Sequence, residues 1–508
     1  MKVLKINISL IFLYFRGFFL LFTLVMGWEC FGGILKNYKM KKKVLLIEPG
    51  TDVLYPPIGL MCLASAIRNK YDVSIRDYSA KTIKEREIEN IIKMEKPFVV
   101  GLRVLTGPCI PRAILISKIA KKYGAKVMWG GPHPTILPKQ TLENDYIDAV
   151  CIGEGEITIL DILSHFEGNK KDVFGAGIKK NGKIKLFPPQ KEVVNFDKLA
   201  LPSWDLLKDI NRYFPDKNHN SVPISTTRGC VFKCGFCHNS NENVKKFLGG
   251  YRIAEPKRAI DEYMLVQKLA KNKIDFLDVG EDLHLVSPAY ARKFCKALED
   301  SKIKNLRWNT AARYSVMTEE MVDLIAKYNC KSIMLGVESG SKRIQEFNGK
   351  IVEMNHAIKI AKHLRKRGIF LRNTYIFGHP TETEEELKMT KKYLKKVPSD
   401  ENLIQLYRPM PATPYFDLCQ KDGKIKNLPN KLEEWSGFGV LGHDVNVSRI
   451  PTKKLFKEFF KVNAIEQLKY LANEQRFYLN EKMYRKFFKN FIENRFTHKL
   501  KEFLQNRK

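Results

Sequence analysis

Thr226-Thr227-Arg228-Gly229-Cys230-Val231-Phe232-Lys233-Cys234-Gly235-Phe236-Cys237 follows directly on a short apolar strand, Val222 to Ser225. The three cysteines are spaced C-x3-C-x2-C in a loop punctuated by glycine. Three thiolates on one loop can bind three irons of a cubane [4Fe-4S] cluster and leave the fourth iron open; soft thiolates select iron–sulfur clusters or zinc. Structural zinc normally takes four protein ligands, commonly as two separated C-x2-C pairs. No second pair exists here, because Cys30, Cys62, Cys109, Cys151, Cys295, Cys330 and Cys419 stand singly. Cys234-Gly235-Phe236-Cys237-His238 also fits the C-x-x-C-H haem-attachment pattern, but that reading leaves Cys230 without a role. The cluster accounts for all three cysteines and makes Cys230, Cys234 and Cys237 the candidate metal ligands.

C-terminal to this loop, short apolar runs alternate with amphipathic helical stretches. Strands are expected near 223–226, 274–279, 306–310, 332–336, 371–376 and 402–407. Six strand–helix units rather than eight imply an open partial barrel, with chemistry at the carboxyl ends of its strands. N-terminal to the loop, strands at Val44–Ile47, Val73–Asp77, Phe98–Leu102, Lys126–Trp129 and Ala149–Ile152 alternate with helices at Ile58–Asn69, Lys84–Met94, Arg112–Tyr123 and Glu156–Phe166. Such alternation implies a parallel sheet covered on both faces, with ligands at its strand ends. The loops at those ends span 50–57, 103–107, 130–135 and 153–156, and paired glycines there let a backbone approach a bulky ligand.

These loops carry Pro56-Pro57-Ile58-Gly59-Leu60, Gly130-Gly131-Pro132-His133-Pro134-Thr135 and Gly153-Glu154-Gly155-Glu156. With Phe236 before the last loop cysteine, Leu201-Pro202-Ser203-Trp204-Asp205 between the two halves, and Leu335-Gly336-Val337-Glu338-Ser339-Gly340-Ser341 and Thr413-Pro414-Tyr415 in the second, the chain resembles radical S-adenosylmethionine (SAM) proteins that carry an N-terminal cobalamin-binding domain. The resemblance spans roughly residues 43 to 420. It implies a Rossmann-like, flavodoxin-like domain over 40–179, a linker over 180–222 and a partial (β/α)6 barrel over 223–420; residues 421–508 read from their composition as a basic helical region. It implies SAM contacts from Phe236, Gly280, Glu281, Asp282, Arg313, Glu338 and Ser339. Cobalamin contacts are implied from Thr51, Tyr55, Pro57, Leu105, Thr106, Gly130, Gly131, His133, Pro134, Thr135, Glu154 and Gly155. The loop after the first strand lacks the histidine of an Asp-x-His-x-x-Gly motif, so the resemblance implies a cobalamin whose lower axial position has no protein histidine.

Two departures from the family pattern are His284, where an aromatic residue is common, and His379-Pro380-Thr381-Glu382-Thr383 after Gly378. Imidazole titrates near neutrality, which makes His284 and His379 candidate catalytic residues; a turn or packing role is the alternative for each. The activity implied is C-methylation: a deoxyadenosyl radical abstracts hydrogen from an unactivated carbon, which then takes a methyl group from methylcobalamin. Alternatives are a cobalamin-using cyclase or rearrangement enzyme without methyl transfer, and a non-catalytic cobalamin or redox sensor. A small-molecule substrate and an electron donor such as flavodoxin or ferredoxin are the expected partners.

The 508 residues allow two or three domains, and a hydrophobic content of 44% excludes wholesale disorder. The net charge of +33 comes from lysines spread along the chain, with no arginine-rich or aromatic-spaced basic tract, so no specific nucleic-acid partner is expected. Scattered cysteines fit a reducing, cytoplasmic setting. Residues 8–26 form an apolar run long enough to cross a bilayer, interrupted by Arg16. Segment 1–39 is therefore read as a membrane anchor on the cytoplasmic face or an extension preceding a start at Met40. Residues 451–508 read as basic amphipathic helices, with Phe456, Phe460, Ala464, Leu468 and Leu471 on one face. Both ends point toward a lipid-like substrate and membrane association.

Overall fold

A computed structural model describes residues 41–50, 53–191, 195–214, 220–271, 273–279, 283–425, 429–437 and 446–473. The expected apolar run at 8–26, Thr51, the Gly280-Glu281-Asp282 motif and the tail beyond 473 lie outside them.

The first sheet has seven strands in the order β2-β1-β3-β4-β5-β6-β7. β1 (Lys43–Glu48) pairs in parallel with β2 (Asp72–Asp77) and β3 (Val99–Arg103), and β4 (Lys126–Gly130) and β5 (Ala149–Cys151) continue the parallel run. A hairpin, β6 (Ala176–Lys180) and β7 (Lys183–Leu186), then adds antiparallel to β5. The first domain thus extends past residue 179 into the stretch read as linker. The hairpin escapes a reading by apolar runs because Lys183–Leu186 is largely exposed and half lysine.

Alternate residues of these strands fill two cores, as a doubly covered sheet requires. Leu45, Ile47, Val100, Leu102, Val127, Trp129 and Val150 pack on one face. Val44, Leu46, Val99, Met128 and Ala149 face the other, which is continuous with the core of the second domain. The connector motif makes that continuity: Trp204 is fully buried and its Nε1 donates to Glu262 Oε1 at 2.8 Å, while the Ser203 amide donates to the Met61 carbonyl at 3.2 Å.

The second sheet has six parallel strands in the order β15-β14-β13-β12-β11-β8. They are β8 (Ser221–Pro223), β11 (Phe276–Val279), β12 (Arg307–Ala312), β13 (Cys330–Glu338), β14 (Phe370–Phe377) and β15 (Glu401–Leu406). The sheet does not close, giving the open half-barrel expected from six units. Between β8 and β11 a separate two-stranded ribbon pairs β9 (Thr227–Arg228) with β10 (Arg252–Ile253) at the base of the cysteine loop.

The C-terminal region divides. Residues 429–437 return to the first domain, where Leu432 and Trp435 join its core and Trp435 Nε1 donates to Gln140 Oε1 at 2.7 Å. Helix Thr452–Asn473 then packs along β15, the edge strand, which disposes of an otherwise unpaired edge. Its buried face runs Leu455, Val462 and Glu466, with Phe459 packed alongside, whereas Ala464 is exposed. This corrects the expected face. Aromatics occur on several sides of this helix, so their periodicity is ambiguous, and the contact with β15 decides which side is covered.

Candidate active site

The cysteine loop leaves the ribbon strand β9 at the carboxyl ends of the barrel strands. Cys230, Cys234 and Cys237 are partly exposed and in no disulfide. Burial raises the Cys234 thiol pKa, opposed by the nearby positive charges of Lys350 and Arg313. Among the described residues no three cysteine, histidine or carboxylate side chains form a group able to hold a single metal ion.

The loop is seated from below. A Cβ on Gly235 would stand 2.3 Å from Tyr415 Cε1, so only glycine fits against that ring. The ring stacks on Phe347 at 4.4 Å between centroids, and its hydroxyl donates to Asn348 Oδ1 at 2.5 Å. Phe236 joins the same apolar cluster of Tyr407, Tyr415, Phe416 and Ile376, with His379 6.3 Å away ring to ring. His379 is fully buried and neither ring nitrogen makes a hydrogen bond; the Glu338 main chain approaches without reaching hydrogen-bonding geometry. Burial pushes its pKa down to about 4, so the ring is neutral at pH 7. Close by in sequence, Glu382 accepts from the Gly378 amide at 2.6 Å, and burial pushes its carboxyl up to about 8.

On the other side of the loop Arg313 lies over the Phe232 ring at 3.7 Å and donates to the Gly349 carbonyl at 3.3 Å. Its Nη1 is buried without a partner, a donor available to an anionic ligand group. Glu338 ends β13 at a register shift and has φ of +65°, a conformation rare for a side-chain-bearing residue outside functional or strained sites. Its Oε1 accepts from Lys350 Nζ at 2.6 Å and its Oε2 from Thr374 Oγ1 at 3.2 Å. Lys350 has no signature in the sequence; a lysine three residues past a helix end reads as solvated until the tertiary structure buries it.

Two expected site residues go elsewhere. Ser339 is fully buried, with its hydroxyl against Thr390 Oγ1 at 3.2 Å and accepting from the Ser341 amide at 3.2 Å. His284 is also fully buried, bonded to Thr310 Oγ1 at 2.8 Å and enclosed by Tyr290, Phe294 and Trp308. These aromatics belong to the helix-facing side of the sheet, so for His284 the packing role prevails. Burial holds its pKa at about 3.

Between the domains lies a cleft of about 420 Å³, the size that takes a small ligand or one arm of a larger one. Gly59, Gly130, Gly131, Glu154 and Gly155 line one side; Ser225, Arg228 and Gly229, just ahead of Cys230, line the other. Its inner end reaches Leu46, Gly101 and Met128 in the first sheet. A Cβ on Gly101 would lie 2.9 Å from Leu46 Cδ2, and one on Gly155 2.6 Å from Leu63 Cδ2, so the absence of side chains keeps this slot open. Cys62 also lines it, but burial pushes that thiol to about 12 and keeps it protonated.

Of the residues expected to bind cobalamin, Gly130, Gly131, Glu154 and Gly155 meet in this cleft, while Tyr55, Pro57, Leu105, Thr106, His133, Pro134 and Thr135 do not line it. Several of these brace it instead. Thr135 Oγ1 donates to the Gly131 carbonyl at 2.8 Å and accepts from the Gly153 amide at 2.9 Å, tying two cleft loops together. His133, fully buried, bonds Thr106 Oγ1 through Nδ1 at 3.0 Å and meets Trp435 edge-on at 6.0 Å. Glu154 reaches Arg228 and Arg252 across the domain boundary, and Glu156 reaches Arg228. Burial raises the Glu156 pKa, but Arg228 brings it below the usual carboxylate value.

Residues 42–163 match the B12-binding domain model, and residues 224–394 match that of the radical SAM superfamily. An uncharacterised methyltransferase of Pyrococcus horikoshii, PH0819, is 31% identical over 385 residues, covering 73% of this chain and 82% of the relative. The anaerobic magnesium-protoporphyrin IX monomethyl ester cyclase of Rubrivivax gelatinosus is 26% identical, covering 75% and 70%. The fold is that of the radical SAM methyltransferase TsrM from Kitasatospora setae, solved with cobalamin and a [4Fe-4S] cluster bound, with a TM-score of 0.64 at 18% identity over 77% of this chain and 76% of that one. The chain therefore belongs to the radical SAM enzymes that carry an N-terminal B12-binding domain.

Proposed function

We propose that this protein methylates an unactivated carbon of a small molecule. It would use a [4Fe-4S] cluster on Cys230, Cys234 and Cys237, SAM at the barrel mouth, and cobalamin in the interdomain cleft. The observation that carries this reading is shared construction: the residues leading into the cysteine loop form one wall of the cleft whose other wall is the glycine-rich edge of the first sheet. When bound, the cluster and cobalamin supply reductive SAM cleavage and a methyl carrier.

The chain's own residues do the holding. Phe236, Tyr407, Tyr415 and Ile376 provide an apolar seat for a flat base beside the cysteines. Arg313 and Lys350 place positive charge near Cys234, where a carboxylate can be received. Glu338, fixed by Lys350 and Thr374, offers acceptor oxygens to hydroxyls. That cobalamin would have no protein histidine at its lower face, because the loop after the first strand, residues 49–57, carries none. His379 is the retained candidate for contact with the reacting ligands, because it stands beside Phe236 with both nitrogens unbonded.

A flavodoxin- or ferredoxin-type donor would provide the electron. The expected lipid-like substrate and membrane association rest on terminal segments largely outside the described residues; no helix among the described residues is long and apolar enough to cross a membrane. The similarity to a cyclase keeps a second reading, cyclisation without methyl transfer. Anaerobically reconstituted, reduced protein should release 5′-deoxyadenosine from SAM; failure with an intact cluster removes the enzyme reading. SAM labelled in its methyl group should pass the label to product, and a labelled methyl that never reaches product selects the cyclase.

A further inference from the structure

Arg228 stands one residue before Gly229-Cys230 and is a charged side chain shared by both cofactor regions. Its side chain is 19% exposed and forks between two first-domain carboxylates, Nη1 to Glu154 Oε2 at 3.2 Å and Nη2 to Glu156 Oε1 at 2.5 Å. Its guanidinium also lies over the Phe196 ring of the linker at 4.7 Å. Arg252, paired with Arg228 in the β9–β10 ribbon, bonds Glu154 through Nη1 at 3.0 Å and again through Nη2. Glu154, Glu156, Phe196 and Arg228 all line the cleft.

A single residue, Gly229, separates this latch from the first cysteine. Gly229 has φ of +73°, and a Cβ there would stand 2.6 Å from the Gly250 carbonyl oxygen. The Ala254 amide donates to the Thr226 carbonyl at 2.8 Å, closing the ribbon on its other side. A ligand entering the cleft touches the carboxylates that hold Arg228. A cluster forming on Cys230 fixes the same backbone from the opposite end.

We propose that Arg228 is a positioning residue, latched by Glu154 and Glu156, that makes cobalamin binding in the cleft and cluster assembly on the cysteine loop energetically coupled. The inference rests on the cofactor placement proposed above. Coupling between two sites is reciprocal, so either ligand can report it.

The probe is hydroxocobalamin, titrated anaerobically into the full chain with and without its reconstituted cluster. Wild-type protein should bind about tenfold more tightly when cluster-loaded, within the usual range for coupled sites. Arg228→Lys keeps the charge but loses the fork, and should bring the two affinities within about twofold of each other. Glu156→Gln should act alike and serves if the lysine variant fails to fold. Gln140→Ala loosens a contact remote from the latch, that to Trp435, and should leave the ratio at its wild-type value. An unchanged ratio in both latch variants, or a wild-type ratio of one, overturns the proposal. A wild-type protein that binds no hydroxocobalamin in either state overturns the cofactor placement itself, and the latch role with it.

Discussion

Lys350→Met should weaken the half-barrel by about 3–5 kcal/mol, the cost of leaving one member of a buried ion pair uncompensated. The surroundings of Glu338 set this magnitude. Its side chain is 8% exposed and that of Lys350 10%, and they meet at 2.6 Å. Without the ammonium, the carboxylate keeps only the Thr374 hydroxyl as a side-chain partner among the described residues. Methionine fills most of the lysine stem's volume, so the loss is electrostatic rather than a cavity. For a domain of this size the change corresponds to a fall in Tm of roughly 6–20 °C. Thermal melts of cluster-free protein measure it, and hydrogen exchange across Cys330–Glu338 locates it. Adding Glu338→Gln removes the stranded charge and should recover most of the loss. A single variant that melts within about 2 °C of the parent, or a double variant no better than the single, would refute the buried-pair argument.

Serine at Cys230, Cys234 or Cys237 should abolish iron incorporation and SAM cleavage, whereas Cys295→Ser and Cys419→Ser should retain iron; an iron assay after reconstitution decides. Gly235→Ala drives a methyl group into the Tyr415 ring and should cost about 1–3 kcal/mol with impaired cluster loading; normal loading would show that the ring yields freely. Trp435→Ala should destabilise the first domain by about 3–5 kcal/mol, because the indole is 3% exposed within that domain's core; urea unfolding followed at that domain checks this. Two buried groups give opposite pH dependences. Glu382 moves from an ordinary value of 4.5 to about 8 in the folded protein, so stability is lost as pH rises through that window, and Glu382→Gln should flatten the stability profile between those two values. His284 moves from 6.5 to about 3, so stability is lost as pH falls through that range, and His284→Phe should flatten the acid limb, with Tm against pH as the readout.

The order of elements along the chain, both domain types and the cysteine triad were legible in the sequence, because each rests on local signals. Parallel strands buried on both faces read as apolar runs, and three thiols within eight residues must share a loop. The glycine-rich turns marked the strand ends at Gly130-Gly131 and Gly153-Gly155 for the same reason. Tertiary structure alone decided which polar residues became partners. Lys350 acquires meaning only when the chain past Phe347 folds under the cysteine loop against Glu338. Glu154 reads as a ligand contact until Arg228, more than 70 residues later, is brought across the domain boundary to meet both it and Glu156. His284 and His379 were indistinguishable as sequence departures. Strand and loop geometry sends one into an aromatic pocket against the helices and the other to the ring of Phe236. Local periodicity marks the apolar strands; the covered face of helix Thr452–Asn473, ion pairing and the facing of an isolated histidine depend on contacts between distant segments, and no spacing within one segment encodes them.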